Sequence, residues 1–259
     1  MSVQGDYLYD AKFYSNTVDR VLASARRILP PLIKATGATS VVDLGCGWGL
    51  WLATARECGV DDVLGIDGPH ARKGLHIDHR QFLAHDLTKP LRVGRRFGLA
   101  ISVEVGEHID AACADGLVGN LVRLAPTVLF SAAIPGQGGA HHVNEQWPCY
   151  WIDLFAQHGY TAVDCIRRRV WDDPQVQPWY AQNAFLMVDA ELAQAPGILA
   201  LATQSPPLPV RCVHPRLFEA RTDPRYIQQM AVLTALPAPL RRAAYRGRSL
   251  YRRLSRRSR

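Results

Sequence analysis

Val41-Val42-Asp43-Leu44-Gly45-Cys46-Gly47-Trp48-Gly49 runs from an apolar, β-branched stretch into an acid and then a cluster of glycines. An amphipathic segment, residues 50–58, follows at once. This order predicts a strand, a tight turn and a helix. Glycine lets the backbone turn sharply and come close to a ligand, because no Cβ stands in the way. Amide N–H groups at the start of the helix would then face that ligand. Taken alone, a Gly-x-Gly-x-Gly turn either serves a nucleotide cofactor or is a plain Gly-rich connection between strand and helix.

Two further acids narrow the choice. Val63-Leu64-Gly65-Ile66-Asp67 reads as a second strand ending in a carboxylate. Asp67 falls about where an acid holds ribose hydroxyls in a doubly wound sheet. A third short apolar run, residues 81–84, leads into His85-Asp86-Leu87. Residues 97–103 and 127–132 are continuous apolar runs suited to buried parallel strands, with a helix predicted over 110–124 between them. Residues 160–166 and 183–188 are read as the last two strands. Strands alternating with helices at this pitch predict an α/β, Rossmann-like, doubly wound and mostly parallel seven-stranded sheet, closed by an antiparallel C-terminal hairpin. Right-handed crossovers then bring the glycines and the acids to one edge of the sheet.

The residues from Asp43 to Gly49 resemble the first motif of class I S-adenosylmethionine (SAM)-dependent methyltransferases. Asp67 is similar to that family's ribose-binding acid, His85-Asp86-Leu87 to its segment beside the adenine, and Ser102-Val103-Glu104-Val105-Gly106-Glu107-His108-Ile109 to its fourth-strand motif. The four motifs stand in the family's order. The resemblance implies SAM as cofactor and S-adenosylhomocysteine as product. It implies a cofactor site of Asp43, Gly45, Cys46, Gly47, Gly49, Asp67, Asp86, Leu87, Glu104 and Val105. The amides of residues 45–49 are expected near the methionine carboxylate. Asp86 and Leu87 would frame the adenine, Asp43 would brace the turn or meet the methionine ammonium, and Glu104 would begin the loop beneath the methyl donor.

The stretch after the fifth strand, Ile134-Pro135-Gly136-Gln137-Gly138-Gly139-Ala140-His141-His142-Val143-Asn144-Glu145-Gln146-Trp147-Pro148, is polar and follows a strand at the ligand edge. Methylating a hydroxyl requires removal of a proton, and histidine is the usual base near neutral pH. His108, His141 and His142 fall in loops at that edge. His142 is the first choice, since a family branch has a Gly-x-His-x-Asn-Glu-Gln-Trp-Pro pattern that this loop resembles from Ala140, with Ala in place of Gly. Glu145 would orient it or bind substrate. A metal held by Glu107, His108, His141 or His142 stays open as an alternative, although their spacing matches no strong ligand signature and no metal residue is assigned. The Asn144–Pro148 block and Trp179-Tyr180-x-Gln182-Asn183 resemble a branch associated with natural-product and glycan modification. That implies O-methylation of a sugar or other small polar acceptor; the alternatives are an RNA or protein methyltransferase, or an inactive methyltransferase-fold adaptor at a membrane.

A hydrophobic content of 48% over 259 residues suffices for a substantial core. The net charge of +7 is uneven. No acid follows Asp223, whereas ten arginines lie from Arg225 onward, leaving 20 basic against 23 acidic residues before them. The expected organisation is a methyltransferase domain over residues 1–190 with an aromatic N-terminal lid (residues 6–16), then an extension over 191–259 ending in an Arg-rich amphipathic helix. Such a tail is either a solvated, partly disordered end or a contact for an anionic membrane surface, which it suits better than nucleic acid because the body shows no basic, aromatic-lined face. The six scattered cysteines form no Cys-x-x-Cys pair and read as reduced thiols. Neither a signal peptide nor a membrane span is expected, which points to a cytoplasmic protein, peripheral on the inner membrane surface if the tail binds lipid, with a homodimer as a further option. Within the first helix, predicted over 17–29, Pro30-Pro31 is expected to break the chain before a short helix at 32–36.

Overall fold

The computed structural model describes residues 11–203 and 207–235. Tyr7 and Tyr9 of the expected lid and the Arg-rich tail from Arg241 onward lie outside the described residues. Residues 20–214 form one compact unit that carries the sheet, and residues 11–19 with 215–235 form a second. The first unit contains most of α1 (Ala11–Thr36), then β1 (Ser40–Leu44), α2 (Leu50–Glu57), β2 (Asp62–Asp67), β3 (Phe82–Ala84), β4 (Leu99–Val103) and α3 (Ala114–Leu124). It continues through β5 (Thr127–Ser131), α4 (Pro148–Gln157), β6 (Tyr160–Val163), α5 (Arg167–Val170), α6 (Pro178–Asn183), β7 (Phe185–Asp189) and α7 (Pro196–Ala202). In the second unit are α8 (Pro215–Thr222) and α9 (Pro224–Ala235). Among the described residues no helix is long and apolar enough to cross a membrane.

The seven strands lie in the order β3-β2-β1-β4-β5-β7-β6. The first five run parallel, and β7 inserts between β5 and β6, antiparallel to both. The alternation of side chains along each strand sorts them into two core layers. Val41, Leu99, Ile101, Leu129, Leu186 and Val188 pack with α1, α2 and α7 on one face. Val42, Leu44, Ala100, Val128, Phe130 and Phe185 pack with α3 and α4 on the other. Strand order reverses at β1, which lies between β2 and β4. The carboxyl ends of β1 and β4 therefore flank the crevice where an open α/β sheet takes its ligand.

One local expectation is corrected. Pro30 and Pro31 do not break α1, which runs through them. Each proline costs about 3 kcal/mol inside an isolated helix. Ile28, Leu29 and Leu32 are fully buried in the first core layer, and burying each is worth about 1.5–3 kcal/mol. Tertiary packing thus offsets the local preference. The Arg-rich stretch after β6 forms the short helix α5, and Arg167 is wholly buried. Its guanidinium pairs with Asp164 at 2.5 Å, reaches the Leu208 carbonyl at 2.9 Å and lies over the Phe185 ring.

Gly45 has φ of 90°, and a Cβ there would collide with the Val105 side chain. Gly116, on the exposed side of α3, has open space around it. Gly45→Ala should lower the urea midpoint by the equivalent of about 1–3 kcal/mol, whereas Gly116→Ala should raise it by about 0.5–1 kcal/mol. Equal effects of the two substitutions in urea unfolding would contradict this packing.

Candidate active site

The turn after β1 is held from the side of β2. Gly45 and Cys46 donate their amides to the Ile66 carbonyl at 2.8 and 3.3 Å, and Gly49 donates to the Cys46 carbonyl at 2.8 Å. Gly47 donates to Asp67 Oδ2 at 2.7 Å, while Gly68 donates to Oδ1 at 2.6 Å. The amides of Gly45, Cys46, Gly47 and Gly49 are therefore engaged within the protein. They fix the shape of the turn instead of standing open to a carboxylate, as the sequence reading supposed. The turn's openness comes from its missing Cβ atoms: at Gly47 an added Cβ meets nothing within 4 Å. Each Asp67 oxygen accepts one backbone N–H and keeps a further lone pair.

Asp43 is buried, and its Oδ1 has no hydrogen-bond partner among the described residues. Burial first, and the nearby Asp67 charge second, push its pKa well above the ordinary range. Beside β3, the His85 amide donates to the Asp67 carbonyl at 2.8 Å. Exposed Asp86 accepts from the amide and hydroxyl of Thr88, and Leu87 packs partly into the second core layer. Val105 lies beneath Gly45.

Glu104, just after β4, has φ of 55°, a left-handed conformation that a side chain other than glycine adopts only where its surroundings enforce it. Its amide donates to the Ser131 carbonyl at 2.9 Å. Its carboxylate accepts from Ser131 Oγ at 3.0 Å and Gln137 Nε2 at 2.8 Å, with Asn183 Nδ2 at 3.4 Å. Gln137, Gln182 and Asn183 are themselves linked by hydrogen bonds and buried. Burial raises the Glu104 pKa, and these donors oppose the rise. The Gln182-Asn183 pair quoted from the sequence thus braces the loop after β5 at the sheet edge.

That loop is docked by its backbone. Val143 and Asn144 donate to the Glu107 carbonyl at 2.8 and 3.1 Å. Gly136 and Gly138 donate to the two carboxylate oxygens of Glu145 at 2.8 and 2.6 Å. His142 Nδ1 lies 2.7 Å from Glu145 Oε1, and His142 Nε2 lies 3.9 Å from Glu107 Oε1. The His142 ring covers Gly139 so closely that a Cβ there would overlap it. The His108 ring packs edge-on to that of His142, with centroids 4.9 Å apart. Packing around the His108 ring, then His142, lowers the His108 pKa. Exposed His141 has φ of 62°, and its carbonyl lies 3.3 Å from His108 Nδ1. Glu107 is only 1% exposed; burial, then the Glu104 charge, raise its pKa to about 9.

The structure thus brings His142, Glu145, His108 and Glu107 together, with the Glu104 carboxylate in the same electrostatic neighbourhood. Glu107, His108 and His142 each point a ligand atom into one group whose members lie within 4.8 Å of one another. The sequence reading named these residues together at the ligand edge, but no local ligand spacing marks them, because His142 lies 34 positions beyond His108. Gln137 and Asn183 were also missed as partners of Glu104, since no local pattern marks a tertiary hydrogen bond.

SAM carries a cationic sulfonium and an ammonium. An orphaned buried Asp43 oxygen, the held Asp67 carboxylate and a turn without Cβ atoms fit it. Before that cation arrives, Asp43 opposes folding as it ionises. Its folded pKa lies above the unfolded one, so its stabilising contribution is complete below about pH 4 and is lost as pH rises through the folded value. Asp43→Asn should therefore raise the melting temperature of the cofactor-free protein at about pH 8 and change it little at about pH 4. An equal shift at both pH values would contradict the assignment.

The model of a family described as methyltransferase domain matches residues 12–160, more than half of the chain. No protein of curated function matches the sequence. Among solved structures, DesVI of Streptomyces venezuelae aligns with TM-score 0.55 at 16% identity, over 73% of this chain and 100% of its own. The sugar N-methyltransferase KedS8 of a Streptoalloteichus species aligns with TM-score 0.53 at 17% identity, over 73% of this chain and 96% of its own. An O-methyltransferase family protein of Burkholderia thailandensis aligns with TM-score 0.47 at 14% identity over 68% of this chain, which spans 56% of that protein's length. At these identities the likenesses to DesVI and KedS8 speak for the fold alone, and the family match extends from α1 to the first residue of β6. The chain belongs to the methyltransferase-domain family, with the fold and the cofactor motifs of a class I SAM-dependent methyltransferase.

Proposed function

We propose that this protein methylates a hydroxyl oxygen of a sugar, glycan or related small polar acceptor, with His142 receiving the proton. SAM, when bound, supplies a methyl group already activated on a sulfonium and leaves as S-adenosylhomocysteine. Asp67 would hold the ribose diol, and the glycine turn would let the cofactor lie close to the backbone. Asp43 would face the ammonium, while Leu87 and Asp86 would flank the adenine. Glu104, fixed by Ser131, Gln137 and Asn183, adds a carboxylate at the sheet edge, where a cationic donor is favoured over its neutral product.

One observation carries the acceptor chemistry: Glu145 lies 2.7 Å from His142 Nδ1. A carboxylate in that position keeps the proton on Nδ1, which leaves the lone pair on Nε2. The hydroxyl proton passes to that lone pair as the oxygen takes the methyl group, a contribution of about 10²–10⁴ in rate. Glu145 is itself held by the Gly136 and Gly138 amides, so the imidazole is aimed before an acceptor arrives. An amine on a sugar is the second reading. The same lone pair would serve an ammonium, and KedS8, which shares the fold, is described as a sugar N-methyltransferase.

A methyl-transfer screen over sugars and polar alcohols, with tandem mass spectrometry of the product, distinguishes the readings. A methyl on nitrogen would replace the first by the second. With the acceptor so found, His142→Ala should lower kcat by about 10²–10⁴ while leaving SAM affinity unchanged. Turnover at the wild-type rate in His142→Ala would remove the base assignment.

A further inference from the structure

We infer that Glu107, His108 and His142 bind a divalent first-row transition-metal cation at the acceptor edge of the sheet. The inference rests on the function proposed above, because it names the atoms that would meet the acceptor oxygen. Their ligand atoms lie within 4.8 Å of one another, close enough for one ion to be reached from all three. Among the described residues Glu107 Oε2 has no hydrogen-bond partner, although its residue is 1% exposed. A buried carboxylate oxygen without a donor is costly and calls for a cation or a proton.

Both histidines are arranged as ligands commonly are. Each has an oxygen acceptor at Nδ1: Glu145 Oε1 for His142 at 2.7 Å and the His141 carbonyl for His108 at 3.3 Å. That arrangement leaves the lone pair on Nε2 in both rings, the tautomer a metal requires. His141 reaches this position with a left-handed backbone, φ 62°. Two imidazoles and one carboxylate suit a transition-metal ion better than magnesium or calcium, which prefer all-oxygen shells. Three protein ligands leave coordination positions for acceptor oxygens. The carboxylate of Glu104, which already repels Glu107, adds to the attraction for a cation.

A lone pair given to a metal is closed to a proton. An ion seated there would take the His142 Nε2 lone pair, so the base role proposed above belongs to the metal-free protein, and the acceptor hydroxyl would fill a neighbouring coordination position. A metal-bound oxygen is more acidic. The O–H proton would pass to solvent water, and the oxygen's electron pair would form the bond to the methyl carbon as the carbon–sulfur bond breaks.

The test is a titration of the tag-free full chain, stripped with chelator, with cobalt(II) chloride, followed by visible d–d absorption. One saturable equivalent with the intensity of a low-coordinate site is expected. Glu107→Gln and His108→Ala should each weaken it by about tenfold or more, and Glu145→Gln by about tenfold through the His142 tautomer. SAM binding by calorimetry, unchanged in each variant, shows that these chains are folded. A wild-type spectrum that remains that of the aqueous ion, or variants that bind cobalt as wild type does, would overturn the inference. If SAM binds while cobalt does not, the metal site alone fails; if SAM also fails to bind, the proposed function fails with it.

Discussion

The Asp67 carboxylate joins two turns that would otherwise move independently. One oxygen accepts the Gly47 amide from the turn after β1, and the other accepts the Gly68 amide from the turn after β2. Both turns lie at the carboxyl ends of neighbouring parallel strands, where the strand order reverses. Charge-assisted bonds of this kind are shorter and stronger than neutral ones. The carboxylate thus shapes the glycine turn and stands where a ribose diol would be held. Gly45 closes the same turn against Val105, which precedes the Gly106-Glu107-His108 segment of the acceptor edge. Cofactor side and acceptor side therefore share one packed junction.

Electrostatically the site is poised against itself. Asp43 lies in the field of Asp67, and Glu107 in that of Glu104. Tyr180, buried against Trp51, feels both Glu104 and Asp43. Such clustering of buried acids destabilises a protein with nothing bound. The two apolar layers on either face of the sheet supply the stability that tolerates it. A donor bearing a sulfonium and an ammonium is the complement of this charge pattern, and loss of the sulfonium charge on transfer favours release of the neutral thioether product.

Much of the fold was legible because parallel strands buried on both faces leave continuous apolar runs. The runs 97–103 and 127–132 contain the strands Leu99–Val103 and Thr127–Ser131, and the acids near the ends of β1 and β2 mark the ligand edge. Pro30-Pro31 misled because local propensity was weighed without the burial of Ile28, Leu29 and Leu32. The burial of Arg167 had no signal in the sequence, because only the fold supplies Asp164 and the Leu208 carbonyl to hold it. At the site, His142 and Glu145 were readable as a pair three positions apart. Their approach to Glu107 was not, because it depends on Val143 and Asn144 bonding to a carbonyl more than thirty positions earlier. The use of the glycine-turn amides was likewise hidden, since Ile66 and Asp67 reach them only once β1 and β2 are paired.

The most direct measurement is a calorimetric titration of the wild-type chain and of Asp67→Ala with SAM. A cofactor cleft built on the Asp67 carboxylate predicts saturable one-to-one binding by the wild type and its loss in the variant. Absence of binding by a folded wild-type protein, or equal affinity in Asp67→Ala, would contradict it.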